Sequence, residues 1–433
     1  GPDMPGLPDT RRPILQGACG GLIAVVVCLV LTWWRPFHAI DLRVYDFLLD
    51  LRSEVRESPS LDRIVLVLVD EDTQSSLQIR WPWPRSMHAD IIHRLKQAGA
   101  KVVAFDMLFL DKTIPEEDEV LRECLADYQS IILGAKLESY DARNVGDVAE
   151  ISSMRMLMPL FDDVAETGLV NLPFDKDQIV RRFRPEMDLF GEPTYAMSMR
   201  IVEQVNGSIP SLDEHMEYGI DFVGPGGSFE SIPAKDILSG AALSRKPDLV
   251  RDKIVLVGVT LAEAKEMFAT PVSKGDQLCP GVEIHANVVA SILDNSYVSQ
   301  VHLAWQLLLV AIIAGLSGYV AMFWSIRWLS VLYGGMGTGV LVLSVPLMTE
   351  WAVYLPVTYP LIAMPIAYIL AGMPARRPMV LHTKVGPYEL LQELGRGGMA
   401  VVFKARHPKT HEIVALKQMT ASDADGMAAE RFV

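Results

Sequence analysis

The chain has 433 residues, half of them hydrophobic, with 53 acidic side chains against 39 Lys and Arg and a formal charge of −14. That length allows two or three domains, and the acidic surplus, lying mostly between residues 40 and 300, excludes nucleic acid as the partner of that segment. Four cysteines are too few for a disulfide framework.

Residues 1–13 carry Arg11 and Arg12 and lead into an apolar run from Ile14 to Trp34. The run is long, ends in aromatic residues and is followed by no A-x-A site, so residues 14–34 read as a transmembrane anchor rather than a cleaved leader.

Residues 40–298 alternate strand-like and helix-like patterns. Arg63 to Val69 (RIVLVLV) is a buried-strand run ending at Asp70. Met87, Ile91, Ile92, Leu95 and Ala98 recur at helical spacing, with Gly99 placed to close the helix. Lys101 to Phe105 (KVVAF) is a second strand, ending at Asp106, and the strand–helix–strand order predicts a parallel pair. Lys253 to Gly258 (KIVLVG) is a further strand, followed by Ile284, Val288, Val289, Ile292 and Leu293 at helical spacing. The segment is expected to be an α/β domain with a mostly parallel sheet.

Ligands of such sheets lie beyond the carboxyl ends of the strands, where Asp70 and Asp106 are expected on adjacent strands. Arg85 follows the stiff Trp81-Pro82-Trp83-Pro84 turn and is placed near both. The three either line a sensor pocket or form a buried ion pair that fixes the turn. His285 and Asn287 open the last helix, where a lone His is more often a cap or a core residue than a metal ligand. No H-E-x-x-H, paired-Cys or G-x-S-x-G motif occurs, so no metal is expected. Cys124 and Cys279 either pair or remain thiols.

Three apolar runs follow almost back to back, at 301–323, 328–348 and 351–373, each near the ~20 residues a helix needs to cross the hydrocarbon core. Trp305, Trp324, Trp328, Trp351 and Tyr354 cluster near their ends, as interfacial rings do. Arg327 lies between the first two runs, only Glu350 between the next two, and Arg376, Arg377 and Lys384 after the last. Placing the basic ends inside gives four spans in an inner (plasma) membrane, with 40–298 outside and both termini cytoplasmic. The lack of charge within the runs argues against a transport path.

Residues 374–387 form a basic, Pro-containing juxtamembrane linker suited to an anionic lipid surface. Beyond it, Leu390–Leu394, Val401–Arg406 and Ile413–Lys417 read as three strands, the first two flanking a Gly-rich turn. Glycines let backbone N–H groups close over phosphates, Val402 can cover an adenine ring, and Lys417 on the third strand can neutralise the α- and β-phosphates. A Walker A loop is absent, and a dinucleotide fingerprint would open a helix rather than join strands.

Two resemblances follow. The blocks DLRVYDFLLDLR, VLVDEDT, WPWPRSMHADIIHRLKQAGAKVVAFDMLF, GLVNLPFDKDQIVRRF, IDFVGPGGSFESIP, DKIVLVGVTLAEAKEMFATPV and PGVEIHANVVASIL resemble, in order and type, the CHASE2 extracellular sensory domain. That family's layout is also similar: an anchor, the sensor, typically three spans and a cytoplasmic signalling module. The resemblance implies reception of an extracytoplasmic signal without naming it.

The tail YELLQELGRGGMAVVFKARHPKTHEIVALKQM is similar to the start of a bacterial-type serine/threonine protein kinase N-lobe over 388–433. It implies an ATP site made by Leu394, Gly395, Arg396, Gly397, Gly398, Met399, Ala400, Val401, Val402, Ala415 and Lys417, with Mg²⁺ expected only once a second lobe is present. Ala400 stands where many kinases have a third glycine, and the 433 residues contain no partner Glu for Lys417, no H-R-D base and no D-F-G. The expectation is a transmembrane sensor kinase cut short before its catalytic loop, inactive as it stands, with protein substrates when complete and a homodimer as its candidate assembly. The alternative is a receptor whose kinase-like tail binds nucleotide or scaffolds partners without catalysis.

Overall fold

A computed structural model describes residues 36–372 except 146–147, 190–191, 214–215, 276 and 324–325, residues 384–419 except 386 and 397–399, and scattered positions between 22 and 34. The expected cytoplasmic N-terminus, most of the first span, nearly all of the 374–387 linker and the last fourteen residues of the tail lie outside the described residues.

The apolar runs become strands buried on both faces. Strands β1 (Ile64–Val69), β2 (Val102–Asp106), β3 (Ile131–Val145), β4 (Val148–Leu157), β5 (Glu166–Leu169), β6 (Glu230–Pro233) and β7 (Ile254–Val259) form one sheet in the order β6-β1-β7-β2-β3-β4, with β5 also pairing β3. Every pairing is parallel except β3 with β4. The sheet is thus mixed but mostly parallel. One expectation is corrected: β1 and β2 are not neighbours, because β7 inserts between them from far along the chain.

Alternation along the strands sends side chains to two cores. Val65, Val67, Val103, Phe105, Val255 and Val257 face one, with Ile91, Ile92 and Leu95 from α3 (Arg85–Gln97) and Leu121 and Leu125 from α4 (Pro115–Asp127). The short helix α2 (Glu71–Leu77) follows β1. Ile64, Leu66, Val102, Ala104, Ile254 and Leu256 face the other core, with Tyr45, Leu48 and Leu49 of α1 (His38–Val55) and Ile284, Val288 and Val289 of α5 (Gly281–Leu293). Helix α5 packs tightly on β7: a Cβ added at Gly258 would lie 2.4 Å from the Val282 Cβ. Cys124 and Cys279 are free thiols.

Three helices occupy the later apolar runs: α6 (Leu303–Phe323), α7 (Ile326–Trp351) and α8 (Thr358–Gly372). Among the described residues, one helix, over Val331–Trp351, is long and apolar enough to cross a membrane, with a mean hydropathy of 1.7. The last run departs from the expected span of 351–373. Its first residues leave the helix because Val353 and Tyr354 pair in parallel with Ser299 and Gln300, and α8 begins only at Thr358.

The described residues form two compact units, one drawn from 36–306 with 338–358, the other from the described positions of 22–34, 307–337 and 359–419. In the first, the segment after α7 joins the sheet domain: the Tyr45 and Tyr354 rings meet edge-on at 5.0 Å, and the Thr358 hydroxyl donates to Asp41 Oδ1 (2.8 Å). In the second, Val310 and Ala314 of α6 pack with Tyr359, Ala363 and Ala367 of α8. The tail strands β8 (Tyr388–Arg396), β9 (Ala400–Arg406) and β10 (Ile413–Met419) form an antiparallel sheet whose buried face holds Leu390, Val401, Phe403 and Ala405.

Candidate functional site at the carboxyl end of the sheet

The three residues expected there each have a partner of their own. Asp70 caps α2, its Oδ1 accepting the Thr73 N–H at 2.7 Å. Arg85 is the first residue of α3; its Nη2 donates to the Asp111 carbonyl (3.0 Å), its Nε lies 3.6 Å from Asp118 on α4, and its guanidinium covers the Phe109 ring at 4.8 Å. Asp106 ends β2 opposite Gly258, 5% exposed, with His285 Nε2 at 3.7 Å. Phe105 and Phe109 belong to the core under α3, and Asp106 turns the other way, toward α5. Arg85 and Asp106 therefore work on opposite faces of the sheet, and Asp70 stands two strands from Asp106.

What gathers around Asp106 comes from elsewhere in the chain. Helix α5 starts at Gly281, whose N–H donates to the Glu266 carbonyl (2.9 Å). A Cβ added at Gly281 would sit 3.5 Å from Asp106 Oδ2 and 3.7 Å from Glu266 Oε2, so both carboxylates converge on this bare turn. Burial pushes the Asp106 carboxyl up to about 7, against the pull of Lys136. Burial and then the Asp106 charge push Glu266 up to about 7 as well. Burial pushes His285 down to about 4, against Glu266 and a hydrogen bond with the Val170 backbone. A neutral imidazole thus faces two carboxyls that change charge near neutrality. The arrangement suits uptake of a proton or of a positively charged group. No cluster among the described residues could hold a metal ion.

Further along α5, Glu283 accepts the N–H groups of Gly227 and Ser228, each at 2.8 Å, and Asn287 accepts the Val223 N–H (2.9 Å). Glu266 left no signal in the sequence, since its role depends on α5 folding back over the sheet. His285 was visible only as a polar residue at a helix start.

In the tail sheet, Val402 stands opposite Lys417 and Lys404 opposite Ala415. Val402 is half-buried and Ala415 and Lys417 are exposed, so these three share the face away from the tail's core. Val401 is corrected as a ligand contact: it points into that core at 5% exposure. Leu394, Gly395 and Arg396 end β8 and Ala400 begins β9; Gly397, Gly398 and Met399 lie outside the described residues.

A model of the CHASE2 domain family matches residues 23–322, which take in every strand of the seven-stranded sheet. No curated protein and no solved structure matches the chain.

Proposed function

Because the chain belongs to the CHASE2 domain family, a family of extracellular sensor domains, we propose that it is a membrane-anchored sensory receptor with a kinase-type cytoplasmic tail. The domain at 40–298 lies outside, four spans hold it in the cytoplasmic membrane, and the carboxyl end of the sheet around Asp106, Glu266 and His285 reads the signal. The family match over more than half the chain carries the sensor half of this reading. The tail half rests on the register of Val402 with Lys417 on an open sheet face, an arrangement suited to ATP. Phosphoryl transfer to protein substrates further requires a base and metal ligands that the 433 residues do not contain.

Two measurements test it. Protease added to intact spheroplasts is expected to cut within 40–298 and spare 384–419; cleavage of both would overturn the topology. A fluorescent ATP analogue is expected to bind the chain in nanodiscs, with affinity falling about tenfold or more in Lys417→Met. The second reading, a tail that binds nucleotide or scaffolds partners without catalysis, shares that result. It parts from the first when a chain extended through a second lobe shows binding but no phosphorylation.

A further inference from the structure

Helix α5 has two functional ends. Its first turn meets Asp106 and Glu266, and its far end reaches a second buried cluster. There the Ser291 hydroxyl accepts the Asp221 N–H (3.0 Å), and Asp294, which follows the last turn, accepts from Ser58 and Ser60 Oγ, each at 2.6 Å. Asp221 pairs with Arg56, which also lies 3.8 Å from Asp294, and is gripped by Arg52 of α1, whose Nε and Nη2 donate to its two oxygens at 2.7 and 3.1 Å. The third guanidinium nitrogen of Arg52 does something different. Nη1 donates to the carbonyls of Met348 (2.8 Å) and Thr349 (2.5 Å), in the last turn of α7.

Those carbonyls belong to the four that a helix end leaves without an intrahelical partner. Arg52 is 2% exposed and Asp221 5%, so neither group can exchange its partner for water without the surroundings moving. The planar guanidinium fixes both contacts in one rigid piece: a shift of Asp221 reorients the fork, and the fork carries Nη1 with it.

We infer that Arg52 is the positioning residue that couples the sheet's carboxyl end to the membrane, with α5 conveying displacement from Asp106 and His285 to Asp221, and Arg52 passing it to the last turn of α7. The device has one input and one output. Its input is a change of charge or occupancy beside Gly281; its output is the hold on the outer end of the apolar helix. A purely structural Arg52 would stabilise the domain yet leave events at Asp106 unfelt at α7.

The test is hydrogen exchange of the full chain in nanodiscs at about pH 8, read over 345–358. Asp106→Asn is expected to change exchange there about tenfold relative to the wild type, and Arg52→Gln or Asp221→Asn to abolish that response. Arg43→Gln, an exposed position on α1, should leave the response intact. If Arg52→Gln fails to fold, judged by lost protection of β1, Arg52→Lys replaces it. A lysine keeps the charge but cannot grip Asp221 and both carbonyls together, so the response should weaken. No response in the wild-type background, or a full response in the Arg52 variants, would overturn the coupling.

Discussion

Asp106 meets His285 and Glu266 beside the first turn of α5. A carboxylate at the end of a buried parallel strand is visible from the pattern KVVAFD, but its neighbours Glu266 and His285 lie well over a hundred residues away. An acid whose pKa rises on folding, here from 3.8 to about 7, binds more protons folded than unfolded. Its contribution is full below its unfolded pKa and is lost as pH rises through about 7. His285 and His88, pushed down by burial to about 4 and about 3, run the other way below 6.5, so the wild-type slope partly cancels. Comparison with Asp106→Asn removes this carboxyl together with the push its charge gives Glu266. The variant's melting temperature should climb relative to the wild type between about pH 5 and pH 8, by the equivalent of roughly 2–4 kcal/mol at the top. A constant offset across that range would show that Asp106 titrates as an ordinary acid.

Arg85 and Arg181 make a contrasting pair. Arg181, 2% exposed, donates to Asp46, Asp175 and Asp177 at 2.6–2.9 Å, and Asp175 is itself buried. Arg181→Ala removes the cation that these three carboxylates share, leaving Asp175 with Arg182 alone, and should cost roughly 3 kcal/mol in chemical denaturation. Arg85→Ala should cost less, about 1–2 kcal/mol, because Asp118 keeps the Thr113 N–H (2.8 Å) and hydroxyl (2.7 Å) as donors. The reverse order would mean that the Arg85 contact is the stronger one. Arg52 was legible in principle. Asp41, Tyr45, Leu48, Leu49 and Arg52 recur on one buried helical face, and a cation on such a face is the signal to follow.

Among the elements, the strands were the most legible, because runs such as IVLVLV and IVLVGV are buried on both faces and leave no other reading. Strand order was not, since nothing local in β7 says that it will enter between β1 and β2. The helix start after Trp351 was misplaced for a similar reason: the pairing of Val353 and Tyr354 with Ser299 and Gln300 is a tertiary choice that overrides apolar character. The seating of α5 on β7 gives an element-level prediction. Gly258→Ala forces a methyl against Val282 and should lift the first turn of α5, costing about 1–3 kcal/mol. Exchange should rise at 281–285 before it rises in β1; uniform loss of protection would place the strain elsewhere.

In the whole molecule, the sheet domain does not end where the apolar helices begin. Residues 338–358 belong to its compact unit, and Tyr354 supplies both a ring against Tyr45 and a hydroxyl that donates to the Asp41 carbonyl (2.9 Å). Tyr354→Ala should therefore destabilise β1 and its neighbours by roughly 2–4 kcal/mol, although it lies nearly three hundred residues from that strand. Unchanged protection of β1 would show that the segment merely rests on the domain. The same interleaving sets a timetable for synthesis. The unit's two parts are separated in the chain, so after residue 306 is made about fifty more must follow before residue 358 is available. At ribosomal rates that is on the order of 3–10 s. Throughout that interval Arg52 and Asp41 have no partners from 348–358, and the nascent domain stays open until the helices that follow it have been threaded.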